Sequence, residues 1–231
     1  MKLSEFDQFA DEYYAQHKTN IAITGENPEY FAEYKIAELR RLANNPTIEP
    51  AKIIDFGSGI GNSIPSFRKY FAGAEVTCAD VSPRSLELSR SRFPGSERFL
   101  LIEASTIPAP DRSYDVAFSA CVFHHIAHEE HVGWLKELRR VTRNGGLLAI
   151  FEHNPLNPLT VRAVNTCPFD VNARLIRARE LSFRLREAGW RDVSIHYHLF
   201  FPRLLAPLRI LEPWLRGFPL GAQYSVVAHN I

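Results

Sequence analysis

The segment IIDFGSGIGNS, Ile53 to Ser63, delivers an apolar run into one acid, Asp55, and then three glycines at alternate positions, Gly57, Gly59 and Gly61. Glycine carries no Cβ, so a chain built this way can turn sharply and bring its backbone against a ligand. A second apolar run, EVTCAD, ends in Asp80 nineteen residues after Gly61, where a carboxylate can accept hydrogen bonds from ribose hydroxyls. The spacing is GxGxG, since Asn62 follows Gly61, and no Lys-Ser or Lys-Thr pair completes a phosphate-gripping loop. Those departures argue against a dehydrogenase and against an NTPase. Asp55 points the same way, because a carboxylate beside the loop favours a cationic ligand over a pyrophosphate.

Histidine titrates near neutrality and suits general-base work. His153 stands just past the apolar run Leu147 to Glu152, at the end where open α/β sheets hold their ligands. It is the first candidate for a base, with His125 the second. The other reading makes His153 a loop residue that only hydrogen-bonds the turn of HNPLNP. His124, His125, His128 and His131, with Glu129 and Glu130, share a helical spacing that metal sites use. The segment has neither an HExxH spacing nor a distant third ligand, so it reads as a pocket-lining loop entering a solvated helix, and no metal is expected. Cys78, Cys121 and Cys167 are odd in number and lack a CxxC pair, which points to reduced, buried thiols. In NTCPFD, Cys167 has no basic neighbour to activate it, and Asp170 either orients a polar acceptor or belongs to the approach of the next helix.

Short apolar runs separated by amphipathic segments must position these groups, a pattern of βα units around a mostly parallel sheet. Five runs precede residue 155: Lys52 to Phe56, Glu75 to Ala79, Arg98 to Ile102, Tyr114 to Ser119 and Leu147 to Glu152. Ser82 as N-cap and Pro83 at the first position open a helix that Pro94 and Gly95 stop. A second helix is expected from about His131 to Thr142, broken by Asn144, Gly145 and Gly146, and a third over Asn172 to Ala188. HNPLNPLT reads as a loop. Strands are expected at Val193 to Phe200 and Gln223 to His229. Between them, prolines 202, 207, 213 and 219 exclude a long continuous helix. Residues 1 to 45 look helical, first with Phe6, Phe9, Tyr13 and Tyr14, then with Phe31, Tyr34, Ile36, Leu39 and Leu42.

The chain has 231 residues, which suits one large domain over 1–231: a helical cover (1–49), a cofactor-binding half (50–155) and a substrate-side half (156–231) with an insertion at 198–221. Hydrophobic residues at 45% and charged residues at 23% exclude disordered and fibrous classes. The acidic, aromatic N-terminus is unlike a signal peptide and no apolar run spans a membrane, so a cytoplasmic location is expected. A net charge of +1 calls for no nucleic-acid partner. The insertion, with arginines 203, 209 and 216 among Leu, Ile, Trp and Phe, could form a lid, a dimer contact or a peripheral membrane contact.

On the DxGxGxG loop and Asp80, the chain resembles the class I S-adenosylmethionine-dependent methyltransferases over roughly residues 50 to 155. The resemblance implies a doubly wound, Rossmann-like seven-stranded sheet whose reversed last strand lies beside the fifth. It places the cofactor, S-adenosyl-L-methionine, against Asp55, Gly57, Ser58, Gly59 and Gly61, with its ribose on Asp80 beside Val81. Glu103 with Ala104 would hold the adenine, although the family more often has Asp there. Cys121, Phe123 and His125 in CVFHHI would line the mouth. The implied reaction is methyl transfer to a small-molecule, sugar-like or lipid-linked acceptor, on oxygen with a histidine base, leaving S-adenosyl-L-homocysteine. Transfer to nitrogen, carbon or a protein side chain is the alternative, and a non-catalytic cofactor-binding scaffold is the second.

Overall fold

A computed structural model describes residues 25–43, 50–167, 170 and 172–231. The aromatic pattern Phe6 to Tyr14 lies outside the described residues. Seven strands, β1 (Lys52–Phe56), β2 (Glu75–Asp80), β3 (Arg98–Leu101), β4 (Tyr114–Ala120), β5 (Thr142–His153), β6 (Arg191–His198) and β7 (Gln223–His229), form one sheet in the order β3-β2-β1-β4-β5-β7-β6. The first five run parallel, and β7 enters antiparallel between β5 and β6. The reversed strand therefore sits where the resemblance puts it.

Adjacent residues of a strand face opposite sides of the sheet, and in the central strands both sides are buried, so these read as continuous apolar runs. Ile53 packs on one face with Phe67 and with Ile36 and Leu39 of α1 (Pro28–Leu42). Ile54 packs on the other with Leu135 and Leu138 of α4 (His131–Val141) and Leu181 of α6 (Ala178–Glu187). The remaining βα crossovers are α2 (Ile64–Tyr70) and α3 (Pro83–Arg92).

Three helices begin the same way. Asn27, Ser82 and Asn157 each accept a hydrogen bond from the backbone N–H three residues on, and Pro28, Pro83 and Pro158 follow them. A polar cap satisfies an otherwise unpaired donor, and proline fits the first turn because it has no N–H to leave unpaired. The second half of HNPLNPLT is thus the start of α5 (Pro158–Asn165), not a loop. α6 starts later than Asn172, and β5 starts earlier than Leu147. α4 ends at Val141, and the strand continues from Thr142 through Gly145 and Gly146, with a register shift against β4 absorbing the glycine pair.

The insertion breaks at its prolines into a 3-10 stretch, Arg203–Leu211, and a single turn, α7 (Glu212–Leu215). Its arginines turn toward the N-terminal described segment. Arg203 donates to the Gly25 carbonyl, Arg209 pairs with Glu26 at 2.8 Å and Arg216 with Glu38 at 2.9 Å. Glu212 accepts from the N–H groups of Phe200 and Phe201. The segment is packed as a strap over α1, with Leu204, Ile210, Trp214 and Phe218 exposed on its outer side. No helix among the described residues is long and apolar enough to cross a membrane.

Candidate active site

The C-terminal ends of the parallel strands share one edge of the sheet. After β1 the chain turns through three positive-φ glycines, but each has a different job. A Cβ on Gly57 would enter the Val122 side chain, and one on Gly61 would enter Ser89 of α3. These two let elements pack closely. At Gly59 the Cβ direction is open space, so this is the glycine that leaves room for a ligand. The Gly57 and Ser58 N–H groups donate to Ala79 at 2.8 and 3.1 Å. Asp80 accepts from Gly59 N at 2.8 Å through one oxygen and from Ser82 N at 2.9 Å through the other. The two loops are therefore locked together, with Val81 buried between them. Glu103 and Ala104 follow β3 on the same edge, Glu103 exposed and Ala104 at φ 56°.

Asp55, at the end of β1, is buried, and its Oδ2 has no hydrogen-bond partner among the described residues. Burial pushes its carboxyl up to about 7, the Asp80 charge adds to this, and Lys35 opposes it. Ser58 Oγ is likewise buried without a partner among the described residues.

The other half of the edge is made of side chains. Cys121 follows β4 at φ 59° and is only partly buried, with Lys35 Nζ of α1 3.5 Å from its sulfur. Burial raises the thiol's pKa, but Lys35 and His153 outweigh that and bring it down to about 7. Cys121 is thus not the inert buried thiol expected from sequence. Cys78 is, because burial and Asp55 push it far up. His153 closes β5, opposite Gln223 in the antiparallel register, and the Gln223 amide lies 3.5 Å from His153 Nδ1. Tyr34 of α1 donates to the Gln223 carbonyl oxygen.

Beside His153, the rings of His124 and His125 adjoin at a tilt with centroids 4.1 Å apart, and the His124 ring centroid lies 5.3 Å from that of His153. Glu152 holds this group in place. Its Oε1 accepts from the N–H groups of Val122 and Phe123 at 3.0 and 2.7 Å, and its Oε2 lies 2.6 Å from His124 Nδ1. Asp170 approaches from the other side, 3.6 Å from His124 Nε2 and 3.4 Å from His125 Nε2. Burial alone would lower the His124 pKa, but Glu152 and Asp170 prevail and raise it to about 10. For His125, burial and the charged His124 act together and bring it down to about 3. Asp170 falls to about 2, its burial outweighed by His124.

The histidine run splits in two. His124 and His125 enter the site, whereas His131 is buried against the Ile126 carbonyl and Arg184, and His128 faces Arg174 and Glu180. The fold brings both candidate bases and Cys121 together and adds residues that sequence reasoning passed over: Tyr34, Lys35, His124, Glu152 and Gln223. Only His124 and Glu152 carried a local hint, each lying next to a chosen histidine. A cavity of about 300 Å³ borders this half between α1 and the insertion, lined by Tyr30, Tyr34, Glu38, His198 and Arg216.

Residues 54–150 match the family model described as a methyltransferase domain. The trans-aconitate 2-methyltransferase of Methylobacterium nodulans is 30% identical over 193 residues, covering 76% of this chain and 70% of that protein. The demethylmenaquinone methyltransferase of Thermus thermophilus is 35% identical over 121 residues, 50% of this chain and 54% of the relative. The chain spans about half the length of such quinone-methylating relatives. A solved S-adenosylmethionine-dependent methyltransferase from Thermotoga maritima superposes with a TM-score of 0.70, covering 99% of both chains at 20% identity, and shows the shared fold.

Proposed function

Because the chain belongs to the class I S-adenosylmethionine-dependent methyltransferases, we propose that it transfers a methyl group to an oxygen of a small-molecule acceptor, with His153 as general base. The residues on the glycine side fit the cofactor. Asp55 Oδ2 and Ser58 Oγ are buried polar atoms lacking a partner among the described residues, beside a loop with open space at Gly59, as a cationic ligand with polar groups requires. In this reading the Asp80 carboxylate, held by the Gly59 and Ser82 N–H groups, takes the ribose hydroxyls, and the exposed Glu103 after β3 takes the adenine. When bound, S-adenosylmethionine supplies an electrophilic methyl on a sulfonium.

The observation that carries the reading is the convergence of His153, Cys121 and the glycine loop on one edge, with Lys35 reaching Cys121. Alignment of nucleophile and methyl supplies much of the rate of a displacement, and rigid strand ends provide it. His153 accepts the proton of the acceptor hydroxyl. The exposed apolar side chains of the strap support an apolar or lipid-linked acceptor and a peripheral membrane contact. The likeness to demethylmenaquinone methyltransferases favours one second reading. Removing a phenolic proton also makes the ring carbon nucleophilic, so the same base would serve C-methylation.

Methyl-labelled S-adenosylmethionine, incubated with the protein and a metabolite extract sorted into lipid and aqueous fractions, tests this. Label should depend on Asp80, and His153→Ala should reduce turnover on an isolated hydroxyl acceptor about a hundredfold. Full turnover in His153→Ala removes the base. The proton spectrum of the product separates an O-methyl from a C-methyl group.

A further inference from the structure

We propose that His124, His125 and Asp170 bind a divalent first-row metal ion, such as Zn²⁺ or Co²⁺, on the acceptor side of the site. Sequence reasoning set metal aside because no distant third ligand accompanied the histidines, and the fold supplies one in Asp170. His124 Nε2 and His125 Nε2 lie 3.6 and 3.4 Å from Asp170 Oδ1, and the three atoms all fall within 4.8 Å of one another. Bonds of about 2.0 to 2.2 Å from a zinc-sized ion to nitrogen and oxygen leave the ligand atoms roughly 3 to 3.5 Å apart. The two His–Asp170 separations are already close to that, and the histidine nitrogens, within 4.8 Å of one another, would draw together on the ion.

The donor set chooses the metal. Two imidazoles and one carboxylate suit ions of borderline hardness, whereas Mg²⁺ and Ca²⁺ are held mostly by oxygens. The orientation also suits an ion. Glu152 Oε2, 2.6 Å from His124 Nδ1, holds that nitrogen as the proton-bearing one, which turns the Nε2 lone pair toward Asp170. Carboxylates hydrogen-bonded in this way to metal-binding histidines fix the ring and raise its basicity. Glu152 is itself anchored by two backbone N–H groups. Its carboxylate and that of Asp170 flank the two adjoining imidazoles and favour a cation between them.

His124 is fully buried, while His125 and Asp170 are partly open, which leaves room for further coordination positions on their side. An acceptor hydroxyl bound there would be made more acidic by the ion. That use rests on the methyl-transfer reading, whereas binding of the ion does not.

The experiment titrates Co²⁺ into chelator-treated full-length protein, with neither S-adenosylmethionine nor acceptor present, and follows the visible d–d absorption. One equivalent per chain is expected, displaced by Zn²⁺. His125→Ala and Asp170→Asn should each weaken binding about tenfold or more, and His128→Ala should leave it unchanged. Should circular dichroism show Asp170→Asn unfolded, the partly exposed His125→Ala and His128→Ala decide the matter. Absence of saturable binding, equal binding in wild type and His125→Ala, or loss in His128→Ala overturns the proposal. None of these results touches the labelled-methyl assay, so the two readings fail separately.

Discussion

The two halves of the sheet edge are built by opposite means. Beyond β1, β2 and β3, backbone does most of the work: glycine turns, N–H groups donated to Ala79 and Asp80, and a loop open at Gly59. Beyond β4 and β5, side chains do it, drawn from Tyr34 to Gln223. The electrostatics differ as well. The Asp55 carboxyl is left without a compensating partner at Oδ2 and with its pKa raised. Glu152 and Asp170 grip the His124 ring from its two sides within the protein. The first half offers a carboxyl oxygen that no hydrogen-bonding group among the described residues meets, and the second arranges its charged side chains around one another. A backbone-built site is specified by a short stretch of sequence, whereas a side-chain network depends on every element that contributes to it.

The strongest way to break this comparison is to remove the centre of the network. Glu152→Ala leaves the Val122 and Phe123 N–H groups and the His124 ring buried without their acceptor. Breaking a buried charged pair costs about 3 to 5 kcal/mol, so urea unfolding should show a loss of that size. A loss below about 1 kcal/mol would mean that water replaces the carboxylate and that this half is no more interdependent than the other.

The same contrast explains what could be read from sequence. β1, β2, β4 and β7 were legible because strands buried on both faces read as apolar runs, and the β1 loop because its glycines and acid lie within seven residues of one another. α5 was misread because two Asn-Pro pairs stand three residues apart and only the second caps a helix. On the acceptor side, His125 was chosen over its neighbour, yet His124 is the one gripped by Glu152, twenty-eight residues away. Nothing local says which of two adjacent histidines turns inward. Lys35 meets Cys121 across eighty-six residues, and Tyr34 meets Gln223 across one hundred and eighty-nine, so their parts appear only once α1 and β7 are docked.

A smaller effect sharpens the electrostatic half of the comparison. In the unfolded chain Asp55 loses its proton near the ordinary value of 3.8, while in the folded protein it keeps it until about pH 7. The native state therefore binds more protons between those values, and its stability falls as pH rises through that window, levelling above 7. Asp55→Asn removes this dependence and should stabilise the cofactor-free protein at pH 8 by about 2 to 4 kcal/mol relative to pH 4. Urea midpoints of both proteins across this range measure it; parallel profiles would mean that Asp55 is already satisfied. Binding of the cationic cofactor should show the opposite trend, tightening as pH passes 7 in the wild type and losing that rise in Asp55→Asn.

The smallest effect lies where the halves meet. Lys35 Nζ stands 3.5 Å from Cys121 Sγ and also acts on the Asp55 charge, so one cation from α1 serves both sides. With the thiol's pKa near 7, about half of it is thiolate at neutral pH, whereas an ordinary cysteine is only ~3% thiolate there. Lys35→Met keeps the apolar stem and removes the charge, leaving burial to push the thiol up unopposed by that partner. Alkylation of Cys121 by iodoacetamide at pH 7, followed by mass spectrometry, should slow by roughly tenfold, with Cys78 and Cys167 too buried to contribute. A rate unchanged by Lys35→Met would assign the lowered pKa to His153 alone. The link between the two halves would then run along the strand ends of β4 and β5, without α1.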